Sequence, residues 1–401
     1  MELHWLIGGC MSGKRLRLAR QRRAMGMTQE ELAAAVGLGT DRSTIYRWES
    51  GEITPPARKQ PRLARALGVS PTELADLLTS EVDPNLPSSR GRAGHALRSP
   101  NSADQVTVES LWQEVRGLDE RYDRTPSTSL LADTGQALGQ IGFLARNGGD
   151  GALQRDLFAA EATAATLMGQ LVWDASQRRD HRTARQYFEQ ATAAAREIDS
   201  PTAEGHALLR TSYLALYGER DPIEGLRLTE QTAEVARSAS KVLTGLAQLH
   251  SAEAHAMLGD TRQCESALAS AEYSFSSVRA TDGAAHLFSE TQFDRLAGSC
   301  YLFLGDHRRA QRILDTAAQA MTAQSKSRAI VLGNLSLAYL HQRDLDAAAA
   351  SLHDAIDVLE ATRGGGGLNV VSDAVRKLRR WRGEPVVQDI YDRLFSLITI
   401  A

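Results

Sequence analysis

Four hundred and one residues is long for one ordinary domain, and 42% hydrophobic with 24% charged residues is near globular averages, excluding a wholly disordered chain or a bundle of membrane spans. No apolar run approaches the ~20 residues a spanning helix needs, so no membrane partner is expected. The net charge of −3 hides a segregation: residues 11–80 hold twelve Lys/Arg against seven Asp/Glu, which leaves the remainder net acidic and makes the basic end the place for a polyanion.

In chain order, Met1 to Cys10 is mildly apolar, lacks a basic start and an A-x-A cleavage site, and reads as a disordered tail (1–10). Residues 11–80 carry the most specific pattern. Thr28 with Glu31 three later forms a capping box, Leu32, Ala33 and Val36 give the helix that follows an apolar face, and Gly37 ends it. Thr40 or Asp41 then caps a second helix with Ile45 and Trp48 inward and Arg42, Ser43, Tyr46 and Arg47 outward. Gly51 stops it, and Pro55 and Pro56 forbid its continuation. Two more helices follow, with Leu63, Leu67, Leu74 and Leu77 as expected core.

Thr28-Gln29-x-x-Leu32-Ala33, then Ser43-Thr44-Ile45-x-x-Trp48-Glu49-x-Gly51, and later Leu67-Gly68-Val69-Ser70, resemble the lambda-repressor-like (Xre) helix-turn-helix domain over its five-helix length. The resemblance implies that Gln29 touches phosphate or base, that Arg42, Ser43, Tyr46 and Arg47 face base edges with Thr44 beside them, and that Glu49 pairs with Arg22. The stretch from Gly37 to Ile45 is two residues longer than the commonest form. The chemistry agrees: an arginine donates two parallel hydrogen bonds to guanine, and short hydroxyl side chains let a helix sink into the major groove. Lys14, Arg15, Arg17, Arg58 and Lys59 offer positive charge to phosphates.

Residues 81–105, VDPNLPSSRGRAGHALRSPNSADQ from Val82 on, lose any helical pattern to Pro, Ser, Gly and Asn and read as a linker. Residues 106–363 return to helix and repeat. Asp180, Asp221, Asp260, Asp306 and Asp344 mark five turns at gaps of 41, 39, 46 and 38 residues. Four positions after each comes a small residue, Ala184, Gly225, Cys264, Ala310 or Ala348. Eight after comes Phe188, Thr229, Leu268, Leu314 or Leu352, and eleven after comes Ala191, Thr232, Ala271, Ala317 or Ala355. These offsets share one helical face, on which small residues admit a neighbouring helix. With Ala252, Gly298 and Ser336, and His255, Tyr301 and Tyr339, upstream of the last three turns, the region resembles the tetratricopeptide repeat at a spacing longer than 34 residues. Gly364 to Gly367 reads as a hinge opening a last piece, 364–401, of C-terminal capping helices. There Val386, Val387, Ile390, Leu394, Leu397 and Ile398 form an apolar stripe for either a second copy or the last repeat.

Catalytic, metal and cofactor residues are not expected: the three cysteines lack a C-x-x-C pair, no H-E-x-x-H or Walker loop occurs, and the histidines read as structural or solvated. The expected fold is all-α, a five-helix lambda-repressor-like domain followed by an α-solenoid of tetratricopeptide-like hairpins. Such a head and body together resemble peptide-sensing regulators of Gram-positive bacteria and, more, the actinobacterial regulators of similar length. The implication is a cytoplasmic, homodimeric transcriptional regulator that binds double-stranded DNA and senses a peptide, small molecule or protein. The alternative is a helical-repeat interaction scaffold whose head dimerises or weakly tethers it to DNA.

Overall fold

A computed structural model describes residues 16–37, 39–50, 53–56, 58–78, 89–148 and 151–399, and every element among them is helical. The chain divides into two compact units, residues 1–94 and 95–401. The expected tail, Lys14, Arg15 and Gly51 lie outside the described residues.

The first unit contains α1 (Leu16–Ala24), α2 (Gln29–Val36), α3 (Arg42–Glu49), α4 (Gln60–Ala66) and α5 (Pro71–Leu78). Leu18, Leu32, Val36, Ile45, Trp48, Leu63 and Leu67 are fully buried together. Local chemistry sets the helix starts. The Thr28 hydroxyl accepts from the Glu31 backbone N–H while Glu31 accepts from that of Thr28, and Ser70 with Glu73 repeats the device ahead of α5. Gly37 ends α2 at φ 64°, a left-handed conformation that favours glycine. Between the two open sequence alternatives, the cap of α3 is Asp41, which accepts from Thr44 at 2.8 Å; Thr40 instead donates to the Gly37 carbonyl.

Residues 89–98 form α6 (Ser89–Arg98), and 100–102 form a 3-10 turn, where the sequence predicts a structureless linker. The helix formers in AGHALR prevail there, and buried Ala96 packs with Val108 and Leu111.

The second unit continues with α7 (Gln105–Tyr122), α8 (Leu131–Asn147), α9 (Gly151–Ala175), α10 (His181–Glu197), α11 (Pro201–Tyr213), α12 (Pro222–Ala236), α13 (Lys241–Met257) and α14 (Thr261–Ser276). It ends with α15 (Glu290–Phe303), α16 (His307–Ala320), α17 (Lys326–His341), α18 (Leu345–Thr362), α19 (Gly365–Lys377) and α20 (Pro385–Thr399). Each of α9, α11, α13, α15 and α17 packs against its successor as a hairpin. The five marker aspartates are the N-caps of α10, α12, α14, α16 and α18, each accepting the backbone N–H three residues on. The residues four, eight and eleven positions after them are all buried.

The glycine run is no hinge. Gly365, Gly366 and Gly367 are buried in the first turn of α19, which lies against α9 and α17. A Cβ on Gly365 would stand 2.6 Å from the Asp174 carbonyl oxygen, and one on Gly367 2.6 Å from Ala329 Cβ. Glycine is required here for close approach. The contact closes the body on itself: Asp174 of α9 accepts from the Gly365 N–H at 2.8 Å and pairs with Lys326 of α17 at 3.0 Å. Ser127 donates to Asp174 and accepts from Lys326, both at 2.7 Å, and the Lys326 N–H donates to the Asp123 carbonyl. The C-terminal stripe is used within the chain. Val387, Ile390, Leu394 and Leu397 are buried in α20, which packs on α18, while Ile398 and Phe395 stay exposed.

Candidate DNA interface and the cavity of the repeat domain

On the head, α3 sorts its side chains by face. Ile45 and Trp48 are fully buried, while Arg42, Ser43, Tyr46 and Arg47 are exposed and Thr44 is half-buried. Glu49, the one acid of α3, is turned inward: it accepts from Arg22 Nε at 2.7 Å and from Gln29 Nε2 at 2.7 Å. Asp41 is held at about 2 by hydrogen bonds from the Thr44 hydroxyl, the Thr44 backbone N–H and the Ser43 hydroxyl. Arg42 reaches exposed Glu30 at 3.2 Å, a pair that solvent weakens and a phosphate or base can replace.

Two residues expected at DNA have partners within the head. Lys59 is buried, donates to Thr40 at 3.0 Å and lies 5.9 Å from the Trp48 ring centroid, so it holds the lengthened turn against the core. Gln29, half-buried, donates one amide N–H to Glu49 at 2.7 Å. Arg58 is exposed beside Lys59; Arg17 lies in α1 with its side chain outside the description. The contrast is testable. Arg58→Ala should weaken specific and random DNA alike and lower the salt slope by about one, with the melting temperature unchanged. Lys59→Ala should instead lower the melting temperature, by an amount equivalent to about 1–2 kcal/mol of lost bonding. A Lys59 variant that melts normally but loses its salt dependence would reverse the assignment.

The body holds a partly open cavity of about 880 Å³, walled mainly by the first helices of successive hairpins, α9, α11, α13, α15 and α17, with α7 and α19 also lining it. Tyr217 lies in a π-helical turn, Leu214–Glu219, that continues α11, a widening frequent at functional sites. Its hydroxyl donates to Glu253, which also accepts from Ser299, and lies 2.6 Å from His250 Nδ1. Burial pushes the Glu253 carboxyl up, but His250, Ser299 and Tyr217 outweigh it and hold it below its usual range. Burial also lowers His250 despite Glu253, favouring the neutral imidazole. Tyr213 is raised by burial, with Glu253 adding to the rise and Arg210, Arg295 and Arg178 pulling the other way; of these Arg210 lies over its ring at 5.3 Å.

Of these cavity residues the sequence reading named only His250, among histidines read as structural or solvated. A signal existed: His206, Arg210, Tyr213 and Tyr217, spaced four, three and four, put polar and aromatic groups on one face of α11, and Arg295 with Ser299 does the same on α15. The repeat pattern was read chiefly from small residues that pack the two helices of a hairpin together, and of its eight-after positions Phe188 reaches the cavity. No group of three His, Cys, Asp or Glu suited to a metal occurs among the described residues, and no described helix is long and apolar enough to cross a membrane.

The "Helix-turn-helix" family model matches residues 16–74, so the head is a helix-turn-helix domain. The sequence has no match among curated proteins. Among solved structures the chain is similar to the apo form of the quorum sensor NprR from B. thuringiensis, at 14% identity over 73% of this chain and 82% of that chain, TM-score 0.42. It is similar to a Rap protein complexed with competence and sporulation factor, at 12% identity over 96% and 97% of the two chains, TM-score 0.46. A third similarity is to Bacillus thuringiensis PlcR in complex with the peptide PapR7 and DNA, at 15% identity over 65% and 94%, TM-score 0.29.

Proposed function

We propose that this protein is a sequence-specific DNA-binding transcriptional regulator whose head reads double-stranded DNA with α3 and whose repeat body senses a peptide, small molecule or protein partner in its central cavity. The sorting of charge on α3 carries the reading: its acid is buried on Arg22, and the outward face offers Arg42, Ser43, Tyr46 and Arg47. That face suits a major groove, where a guanidinium addresses guanine O6 and N7. On this reading the protein works in the cytoplasm as a homodimer, because one head covers a single half-site and two half-sites lie about 34 Å apart. The buried α20 stripe is spent on α18, which leaves exposed Phe395 and Ile398 as its apolar surface for a partner copy. A bound ligand acts only if it favours one geometry of the paired heads over another.

An electrophoretic shift of the full chain with DNA from upstream of its own gene tests the reading. A discrete complex resistant to excess random DNA supports it; retention no better than random DNA favours the scaffold alternative. Arg47→Ala should cost about 1–3 kcal/mol on the specific site and little on random DNA, because base contacts specify and phosphate contacts position. Equal weakening on both would remove Arg47 from base reading.

A further inference from the structure

The cavity's charges are unevenly satisfied. Its acids Asp174, Glu253 and Asp373 are each bonded within the protein, to Lys326, to Tyr217 and Ser299, and to Arg220. Asp119 and Asp123 are shifted up, first by burial, with Arg210 pulling the first and Lys326 and Arg295 the second the other way without forming an ion pair among the described residues. Arg178, Arg210 and Arg295 line the same space, and none of the three makes an ion pair with a carboxylate among the described residues. Arg178 lies over the Trp173 ring at 4.5 Å from its centroid and Arg210 over that of Tyr213 at 5.3 Å, with Arg210 Nε donating to His206 at 3.2 Å, so the guanidinium groups are held by rings and an imidazole and not by a carboxylate.

Two buried donors aim at no acceptor: Arg178 Nε and Nε1 of Trp173, a side chain 4% exposed. A buried acceptor is also unmet. Because the Tyr217 hydroxyl donates to Glu253, it accepts from His250 Nδ1–H, which leaves Nε2 of His250, 2% exposed, as a bare acceptor without a partner. Unpaired cations and donors in a partly dehydrated space are expensive unless something of opposite character occupies it. Guanidinium forks match the oxygens of carboxylate or phosphate, and the aromatic walls suit an apolar body.

We infer that the cavity binds a small organic oxyanion, a carboxylate or phosphate carried on an aromatic or apolar body, with the anionic group held by Arg178, Arg210 and Arg295 and a ligand N–H or O–H donated to His250. The inference rests on the reading of this cavity as the sensing site, and names the chemistry of what is sensed. The volume of about 880 Å³ accommodates a ligand of that class.

Three probes share an indole N–H and differ in charge: indole-3-acetate, 3-indoxyl phosphate and the neutral indole-3-ethanol. In calorimetry with the full chain, at least one anion should bind with one-to-one stoichiometry, and the alcohol about tenfold or more weakly. The preferred anion assigns carboxylate or phosphate as the source. Arg178→Gln with Arg295→Gln should weaken that anion by about tenfold or more, without lowering the unfolding midpoint, since neither arginine makes an ion pair with a carboxylate and glutamine keeps the stem that packs on Trp173. Binding of the alcohol as tightly as the anions, binding of neither anion, unchanged affinity in the double variant, or a lowered midpoint accompanying its loss would each overturn the assignment. A DNA shift indifferent to the bound anion would remove the sensing role and leave the cavity's chemistry standing.

Discussion

Asp174→Ala should destabilise the repeat body by about 3–5 kcal/mol, because it leaves a buried ammonium without its counter-charge. Lys326 is 4% and Asp174 3% exposed. Burial already lowers the Lys326 ammonium below its usual range, and Asp174 is the main influence restoring it. The substitution also removes the acceptor for the Gly365 N–H, so α19 loses its hold on α9 at the point where the body closes. The measurement is the urea midpoint of the full chain. Asp174→Leu with Lys326→Met should recover much of the loss, since replacing both partners by apolar groups removes the stranded charge. Gly365→Ala should fall in the same direction by about 1–3 kcal/mol through overpacking against the backbone of α9, whereas Gly383→Ala, with open space around its Cβ position, should not. A midpoint unmoved by Asp174→Ala would mean that the clasp contributes nothing to closure.

Glu49→Ala acts on the head by the same physics. Arg22, 7% exposed, donates Nε and an Nη to Glu49, and its remaining hydrogen bond goes to the Met27 carbonyl. Removing the carboxylate strands the guanidinium and frees the Gln29 amide, a loss of about 3–5 kcal/mol. Domains of this size hold a net stability of that order, so the head should unfold while the body stays folded. Two separated transitions in calorimetry of the full chain, with specific DNA binding abolished, are the expected outcome. A single unchanged transition would show that the pair is worth little. Gln29→Ala, which deletes one neutral donor, should cost about 1 kcal/mol or less and leaves the ion pair in place.

Much of the head was legible from its residues alone because its devices are local. The Thr28–Glu31 box, Gly37 and the inward Ile45 and Trp48 depend on separations of three to nine residues, and each is found as expected. The same holds for the five aspartates that cap α10, α12, α14, α16 and α18, since a cap reaches only the next turn. Lys59 was assigned to DNA because charge in a basic segment suggests phosphates, and Gln29 because the family resemblance implies it. Their actual partners, Thr40 and Glu49, lie nineteen and twenty residues away, across a turn whose path the pattern does not specify.

By itself, then, the sequence determined the helix starts and stops, the small-residue faces on which hairpins pack, and the cationic outer face of α3, all set by periodicity and neighbours along the chain. Tertiary structure decided that the glycine run is a contact and not a hinge, that the α20 stripe covers α18, and that an arginine-rich, aromatic cavity exists. Asp174 meets Gly365 across 191 residues and Ser127 meets Lys326 across 199, and the three cavity arginines come from three separate stretches of chain. Such groups become neighbours only when a succession of hairpins, each turned slightly on the last, accumulates enough rotation to bring its ends together, a property of the stack that no single repeat carries.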